Sequence, residues 1–484
     1  MEYLAQLSIY QWSLLLLSII VSVTLSLIAM NAFVIILLFL RNKNKRKTPP
    51  ETNEWPKVAI HIPIYNEAQV IHRLLNACLN LDYPKDKLQI IIVDDSTDRT
   101  KEITREFGEK YPSLIKVIYR GKRIGFKAGA LNEAMKYTTA DLIVTFDADA
   151  IPPRDFIKRL VPYFYAEDKV GFVQANIEFI NRDATWLTKA ISLAIKGYYI
   201  IEQAARYYSG LYASSFGTSV MFRRKAIEEA GGWHSDTLAE DIDLSFRMQM
   251  KGWKGVFVPE VKCLGEVPPL FSIFKMQEYR WSKGYMQCLK KFSKTFLYDG
   301  KIPLIQRIEA VLNLSYVLIY PIAILGLLLN MLMLFLMPQT FLITFWTNPN
   351  ATLLIGASVV TIAVPTILYL LVAIEEKDKR YIKYLPALGT LWCGVSISNA
   401  KAVIEVLMGK TSAFFRTPKF GVIDSIDKRY LQKYKPKKTW KLGEFVAALV
   451  VLYSAFFALQ SGLIWLAIGY ATYGVAWIYS ACMS

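Results

Sequence analysis

Histidine is almost missing from this chain of 484 residues: His61, His72 and His234 stand far apart. That excludes a histidine-rich metal centre, so any catalytic metal must be held by oxygen. The five cysteines (Cys78, Cys263, Cys288, Cys393 and Cys482) show no CxxC and no short spacing. A disulfide framework and a thiolate zinc site are excluded with them. Before the first apolar run only Glu2 is charged, whereas a secretory leader would carry a basic segment there. Acidic residues are few, 40 against 57 Lys and Arg, for a formal net charge of +17. The excess does not point to nucleic acid, because the bases gather beside apolar blocks, at Arg41 to Lys47 and Lys428 to Lys441. There they read as topology signals and contacts with anionic membrane lipid.

What the chain has in abundance is apolar sequence, with 54% hydrophobic residues and a mean hydropathy of +0.28. Residues 10–40 are almost continuously apolar and are followed by RNKNKRK, which reads as a retained anchor rather than a cleaved leader. As one helix they would span about 46 Å, more than a bilayer core, so the helix must tilt or project. The basic flank places the N-terminus outside and residue 41 onward inside. Residues 310–336, 351–374, 443–461 and 464–482 are also apolar enough to span, which predicts five spans in all. Residues 384–408 hold Ser396, Ser398, Asn399, Lys401 and Glu405. Spanning there would export the basic run 427–441, so the stretch reads as interfacial or re-entrant.

After a linker over 41–56 with three prolines, the runs VAIHIPI, LQIIIVD, IKVIY and LIVT alternate with helical segments. That rhythm predicts a parallel, Rossmann-like α/β sheet. Ligands bind outside the carboxyl ends of such strands, and acids follow three of the four: Glu67, Asp94 with Asp95, and Asp147 with Asp149. In DLIVTFDADA (141–150) the two aspartates are two apart, so strand alternation turns both to one ligand. Such a pair suits Mg²⁺ or Mn²⁺ carrying a diphosphate. Asp94 or Asp95 can accept hydrogen bonds from a base or ribose. Lys127, between Gly125 and Gly129 before a helix, is placed for phosphate; the competing reading is a solvated loop lysine. Glu240, Asp241 and Asp243 fall in the first turn of a helix expected over 238–250, as helix-dipole caps or with one as general base. Gln277, Arg280 and Trp281 share a helix face and suit a diphosphate and a sugar. The basic amphipathic sequence around them equally suits a helix in the membrane interface.

Asp95, DAD (147–149), AED (239–241) and QEYRW (277–281) resemble the D, DxD, TED and QxxRW motifs of family-2 processive glycosyltransferases. GFKAGALNEAM, FDADAIPPRDF and VPPLFSIFKMQEYRWSKG resemble the cellulose-synthase-like A group of plant mannan synthases. The likeness covers roughly residues 57–292. It implies a GT-A catalytic domain using a nucleotide-sugar and a divalent metal. By position, Tyr65, Glu67 and Asp95 would bind the nucleoside, Lys127 and Asp147 the diphosphate, and Asp149 the metal. Asp241 would be the general base beside Glu240, and Gln277, Arg280 and Trp281 would hold the diphosphate and the acceptor end. The threonine of TED is Ala239 here. SAFFRTPKFG (412–421) resembles the FxVTxK gating loop of bacterial cellulose synthase, with Phe414, Thr417 and Lys419 in register and Arg416 in place of valine. As a gate it would close over bound nucleotide.

The expected layout is an anchor over 1–41 and a GT-A domain over 57–266, then interfacial helices over 267–300 carrying QxxRW. Two spans follow over 301–374, an interfacial or re-entrant element with the gate over 375–440, and a transmembrane hairpin over 441–484. The expected protein is an integral membrane enzyme of the cell membrane with its catalytic domain in the cytoplasm. It would be an inverting β-glycosyltransferase moving a hexose from a UDP- or GDP-sugar onto a growing glucan or mannan, with export of the product. The alternative is transfer of one sugar to a membrane lipid. A receptor that only binds nucleotide ranks below both, because Asp149, Asp241 and Arg280 are all present.

Overall fold

The structure, a computed structural model, describes residues 7–45, 48–52, 54–339, 341–343, 352–410, 416–421 and 441–483. The four expected strands form: β1 (Val58–Ile64), β2 (Leu88–Asp94), β3 (Ile115–Tyr119) and β4 (Leu142–Thr145). They lie parallel in the order β3-β2-β1-β4. Ile60, Ile62, Ile90, Ile92, Ile143 and Val144 are wholly buried, as strands covered on both faces must be.

Three more strands, β5 (Val170–Phe179), β6 (Val220–Arg223) and β7 (Lys254–Gly265), extend the sheet to β3-β2-β1-β4-β6-β5-β7. The sheet is therefore mixed, because β6 runs antiparallel to both β4 and β5. The connection from β5 explains it. Helical turns from Trp186 to Ser209 start and finish at the same end of the sheet, so the chain re-enters in the opposite direction. The parallel part of the sheet is kept around β1 and β4, where the cavity lies.

Among the described residues, three helices are long and apolar enough to cross a membrane: Ile9–Asn42, Leu304–Leu336 and Leu442–Gln460. The other two expected spans are helices of 24 and 20 residues, Thr352–Glu375 and Ile464–Met483. Residues Leu385–Leu407 are a single unbroken helix of 23 residues packed against Ile319–Leu336, Ile464–Met483 and Phe271–Tyr298. The stretch read as interfacial or re-entrant is thus a continuous helix, whose Ser396 accepts from Trp477 Nε1 at 3.1 Å on a neighbouring helix.

The N-terminal helix has two environments. Its first turns expose Tyr10, Leu16, Ile20 and Leu27, whereas Ile35, Ile36 and Phe39 near its end are only 1% exposed. Those last turns dock on the helical segment after β5, and Lys43 pairs with Glu375 at 2.7 Å. Nearby, Lys196 is fully buried, with its ammonium 2.7 Å from Glu178 at the tip of β5 and in contact with Glu376. This ties the sheet to the end of a bundle helix. Removing the cation would leave Glu376 without its described partner, while Glu178 would keep Arg182 at 3.7 Å and Lys262 at 3.4 Å. Lys196→Ala is expected to lower stability by about 3–5 kcal/mol, read as a lower unfolding midpoint of the detergent-solubilised protein.

Candidate active site

Outside the carboxyl ends of β1, β4 and β7 lies a cavity of about 1790 Å³. β4 stops at Thr145, before either aspartate, so strand alternation does not extend through them. The Ser219 N–H closes on Thr145 O at 2.9 Å, the Asp147 N–H donates to Thr218 Oγ1 at 2.8 Å, and the Ala150 N–H turns back to Asp147 O at 3.0 Å. Asp147 and Asp149 therefore sit in a turn rather than in register on a strand. Both line the cavity but hold different partners.

Asp147 is partly open and receives Lys127 Nζ at 2.8 Å. Lys127 sits in the first turn of the helix Phe126–Met135, behind Gly125 in the left-handed region at φ 71°. Its ammonium also reaches Glu240 at 3.2 Å and Gly217 O at 3.1 Å. Burial opposes its charge, but the Asp147, Glu240 and Asp241 carboxylates outweigh that and hold the ammonium above an ordinary lysine. It is no solvated loop lysine. Asp149 is buried and accepts the Glu266 N–H at 2.7 Å and Lys419 Nζ at 2.8 Å. Burial would raise its carboxyl, yet Lys419 and those hydrogen bonds keep it below the usual range.

Glu240 and Asp241 begin the helix Glu240–Met250. Asp241 Oδ1 accepts only the Ile242 N–H, at 2.9 Å, among the described hydrogen bonds. Burial and the adjacent Glu240 push its carboxyl up to about 7 against the pull of Lys127 and Arg280. Asp243 does something else. Wholly buried, it receives Arg247 at 2.6 Å and Lys291 at 2.6 Å. With His234 and Asp236 it forms a cluster of metal-ligand type, but Lys291 already stands 3.1 Å from His234 Nδ1 and 2.8 Å from Asp236. That ammonium supplies the cation, and the cluster locks two helices together.

Of the acids after β1 and β2, Asp94 does not reach the cavity. It is 1% exposed, with its oxygens taken by the Ser96 N–H at 2.8 Å and Thr104 Oγ1 at 2.6 Å. Asp95 does line the cavity, gripped on both oxygens by Arg120. Tyr65 lies under the Arg123 guanidinium, 3.7 Å from its ring centroid. Glu67 pairs with Arg416, and burial, opposed by that guanidinium, pushes its carboxyl up to about 7.

Gln277, Arg280 and Trp281 all line the same cavity from the helix Phe271–Tyr298. One turn on, Gly284 abuts Ala239: a Cβ at 284 would stand 2.7 Å from the Ala239 Cβ. The missing threonine is thereby explained, since two backbones meet there and leave room only for a small residue.

Residues 56–284 match the family model described as glycosyltransferase like family 2. Over that stretch, a little under half of its length, the chain resembles family-2 glycosyltransferases. It is 31% identical over 305 residues to glucomannan 4-beta-mannosyltransferase 1 of Cyamopsis tetragonoloba, covering 60% of this chain and 58% of that one. To glucomannan 4-beta-mannosyltransferase 9 of Arabidopsis thaliana it is 33% identical over 264 residues, 53% of this chain and 50% of the relative. The chain thus spans a little over half the length of the curated relatives it matches. Among solved structures it is similar to mannosyltransferase PcManGT from Pyrobaculum calidifontis, in complex with GDP-Man and Mn²⁺. That match has a TM-score of 0.55 and 22% identity over 82% of this chain and 100% of the other, which establishes the GT-A fold.

The cavity is closed on one side by residues 416–421. Thr417 and Lys419 line the cavity, while Phe414 lies outside the described residues. Lys419 also donates to Glu266 O at 3.2 Å, and the Phe420 and Gly421 N–H groups bond Glu266 Oε2 at 3.1 and 3.2 Å. Glu266, which Arg73 also contacts, is the residue that sequence reasoning passed over. It follows β7 directly, so the rule that found acids after three other strands applies to it too. Arg73, Arg120 and Arg123 were missed as well, and Arg416 was noted only as the residue in place of the gating loop's valine.

Two outcomes follow from this geometry. A base held near 7 accepts no proton while protonated, so kcat/KM should rise with pH up to about 7 and then level; Asp241→Asn should remove that limb and lower turnover about 10²–10⁴-fold. A methyl at Gly217, where φ is 70°, would lie 2.8 Å from Asp241 Oδ2 and 3.2 Å from Lys127 Nζ. Gly217→Ala is therefore expected to lower kcat about 100-fold by displacing both groups, measured by initial rates on a protein whose fold is checked by circular dichroism.

Proposed function

We propose that this protein is a membrane-embedded inverting β-glycosyltransferase that extends a polysaccharide with hexose, mannose from GDP-mannose first among the donors. The observation that carries the reading is one cavity. The space that holds Lys127, Asp147, Asp241 and Arg280 continues without a break past Tyr320, Tyr369 and Trp392, between helices of the bundle. A sugar added at the strand tips has a way onward into the membrane region. The names of the curated relatives and the GDP-Man in the similar solved structure support the choice of donor. The basic flank of the first helix supports a cytoplasmic catalytic domain.

The chemistry follows from groups already in place. The acceptor hydroxyl loses its proton to Asp241 as its oxygen bonds to the anomeric carbon, and the bond from that carbon to the diphosphate breaks. Attack opposite the leaving group turns an α-linked donor into a β-linked product. Lys127 and Arg280 offset the charge that gathers on the departing nucleoside diphosphate. The acids at the strand tips also suit Mg²⁺ or Mn²⁺. Asp149 carries hard oxygens, and the Lys419 ammonium resting 2.8 Å from Oδ2 supports a cation at that place. Asp149 and Asp147 would hold the ion, which is bound in such sites through one or two carboxylates and substrate phosphates. When bound it neutralises the leaving diphosphate.

The test offers GDP-mannose, UDP-glucose and other donors separately to purified protein in nanodiscs with Mn²⁺ or Mg²⁺ and follows nucleoside diphosphate release. Turnover of GDP-mannose into a polymer, lost in Asp241→Asn, is expected. A single-sugar product that partitions into organic solvent, or turnover indifferent to Asp241→Asn, would overturn the proposal.

A further inference from the structure

Glu266, the residue after β7, ties together segments that are far apart in the chain. Its side chain is only 2% exposed. Oε2 accepts the Phe420 and Gly421 N–H groups at 3.1 and 3.2 Å, and Oε1 meets Arg73. Its own N–H donates to Asp149 Oδ2 at 2.7 Å, and its carbonyl oxygen accepts Lys419 Nζ at 3.2 Å. The strap of residues 416–421 fits closely around this clamp. The Phe420 ring is buried with Ile273, against Leu270 and Ala184. Gly421 lies at φ 67°, and a Cβ there would stand 3.0 Å from Gln69 O. Two amides on one buried carboxylate oxygen make charge-assisted bonds, so the position of the strap is set at this end.

The other end carries two cations to the acids of the crevice. Arg416 pairs with Glu67, and Lys419 Nζ lies 2.8 Å from Asp149 Oδ2. That oxygen therefore holds two donors, the Glu266 N–H and the ammonium, which fill its lone pairs. A divalent cation bound to Oδ2 needs one of those places. The amide is part of the chain backbone, so it is the ammonium that has to leave. A cation on Oδ1 would share one carboxylate with the ammonium, and Asp149 is buried, where two positive charges so close repel strongly.

We propose that Glu266 is a positioning residue that anchors residues 416–421, and that Lys419, held by this anchor, competes with the divalent cation for Asp149, given the reading above that Asp149 and Asp147 hold the ion. The competition acts before any nucleotide arrives, and so differs from closure of a loop over bound nucleotide. A nucleoside diphosphate brings negative charge of its own, and with it both cations can stay. The metal therefore enters with the diphosphate rather than ahead of it.

The test uses full-length protein in detergent and two readouts: Mn²⁺ binding by electron paramagnetic resonance, and hydrogen exchange across residues 416–421 by mass spectrometry. Lys419→Met should bind Mn²⁺ about 10-fold more tightly than wild type and leave exchange unchanged. Glu266→Ala should gain Mn²⁺ affinity to the same extent and also speed exchange at least about 10-fold. Gly421→Ala, strained at the same anchor, should speed exchange as well. Glu266→Gln keeps an oxygen for the two N–H groups and should match wild type in both readouts. Unfolding midpoints confirm that each variant folds. With GDP present, the gain in Lys419→Met should vanish. Equal Mn²⁺ binding by wild type and Lys419→Met would overturn the competition, and a gain undiminished by GDP would overturn joint entry. Unchanged exchange in both Glu266→Ala and Gly421→Ala would overturn the anchor. Asp149→Asn separates this proposal from the reading beneath it. If that variant binds Mn²⁺ as well as wild type, the ion lies elsewhere and the assignment of Asp149 to the metal fails. If it binds Mn²⁺ weakly while Lys419→Met matches wild type, the competition alone fails.

Discussion

The constraint on which this structure depends is charge balance in a dry crevice. Glu67, Asp95, Asp149, Glu240, Asp241 and Glu266 all line one cavity, and like charges so gathered repel strongly at low dielectric. Five of the six are held by a cation from another part of the chain: Arg416, Arg120, Lys419, Lys127 and Arg73 in turn. Asp241 alone among them has no described ion pair, and it is the one with a free oxygen for proton transfer. Pairing fixes five acids in place; leaving out one keeps an oxygen open to a proton. The division of labour is electrostatic.

The second constraint is mechanical. The helix that carries Gln277, Arg280 and Trp281 belongs neither to the sheet nor to the spans, yet it is pinned to both. Lys291 fastens it to the helix of the catalytic acids at Asp243. Lys283 pairs with Glu405 at 2.7 Å, and Lys275 contacts Glu444 beside Ser480. Each of these lysines spends a positive charge on an internal acid. The basic surplus of the sequence is thus partly structural, in addition to the runs that mark membrane topology.

Much of this was legible. Acids after buried strands marked the crevice, and Gln277, Arg280 and Trp281 stood on one face by spacing alone. What stayed hidden depended on contacts between distant segments. Arg416 and Glu67 are 349 positions apart in the chain, and no local pattern joins them. Asp94 and Asp95 are neighbours with the same chemistry, and the Ser96 N–H and the Thr104 hydroxyl take up the oxygens of Asp94 away from the cavity. The reversed direction of β6 follows from where a helical connection ends, which composition does not encode.

The N-terminal helix runs 34 residues, about 51 Å at the rise of an α-helix. Its last turns are embedded in protein, so in the proposed membrane setting the sheet hangs from the bilayer on a rigid post of fixed length. A thicker or thinner membrane cannot simply slide along such a post, because its lower end is clamped. Hydrophobic mismatch would be taken up as tilt, and tilt of the post is tilt of the sheet. The orientation of the reaction crevice is in this way geared to the thickness of the lipid around it.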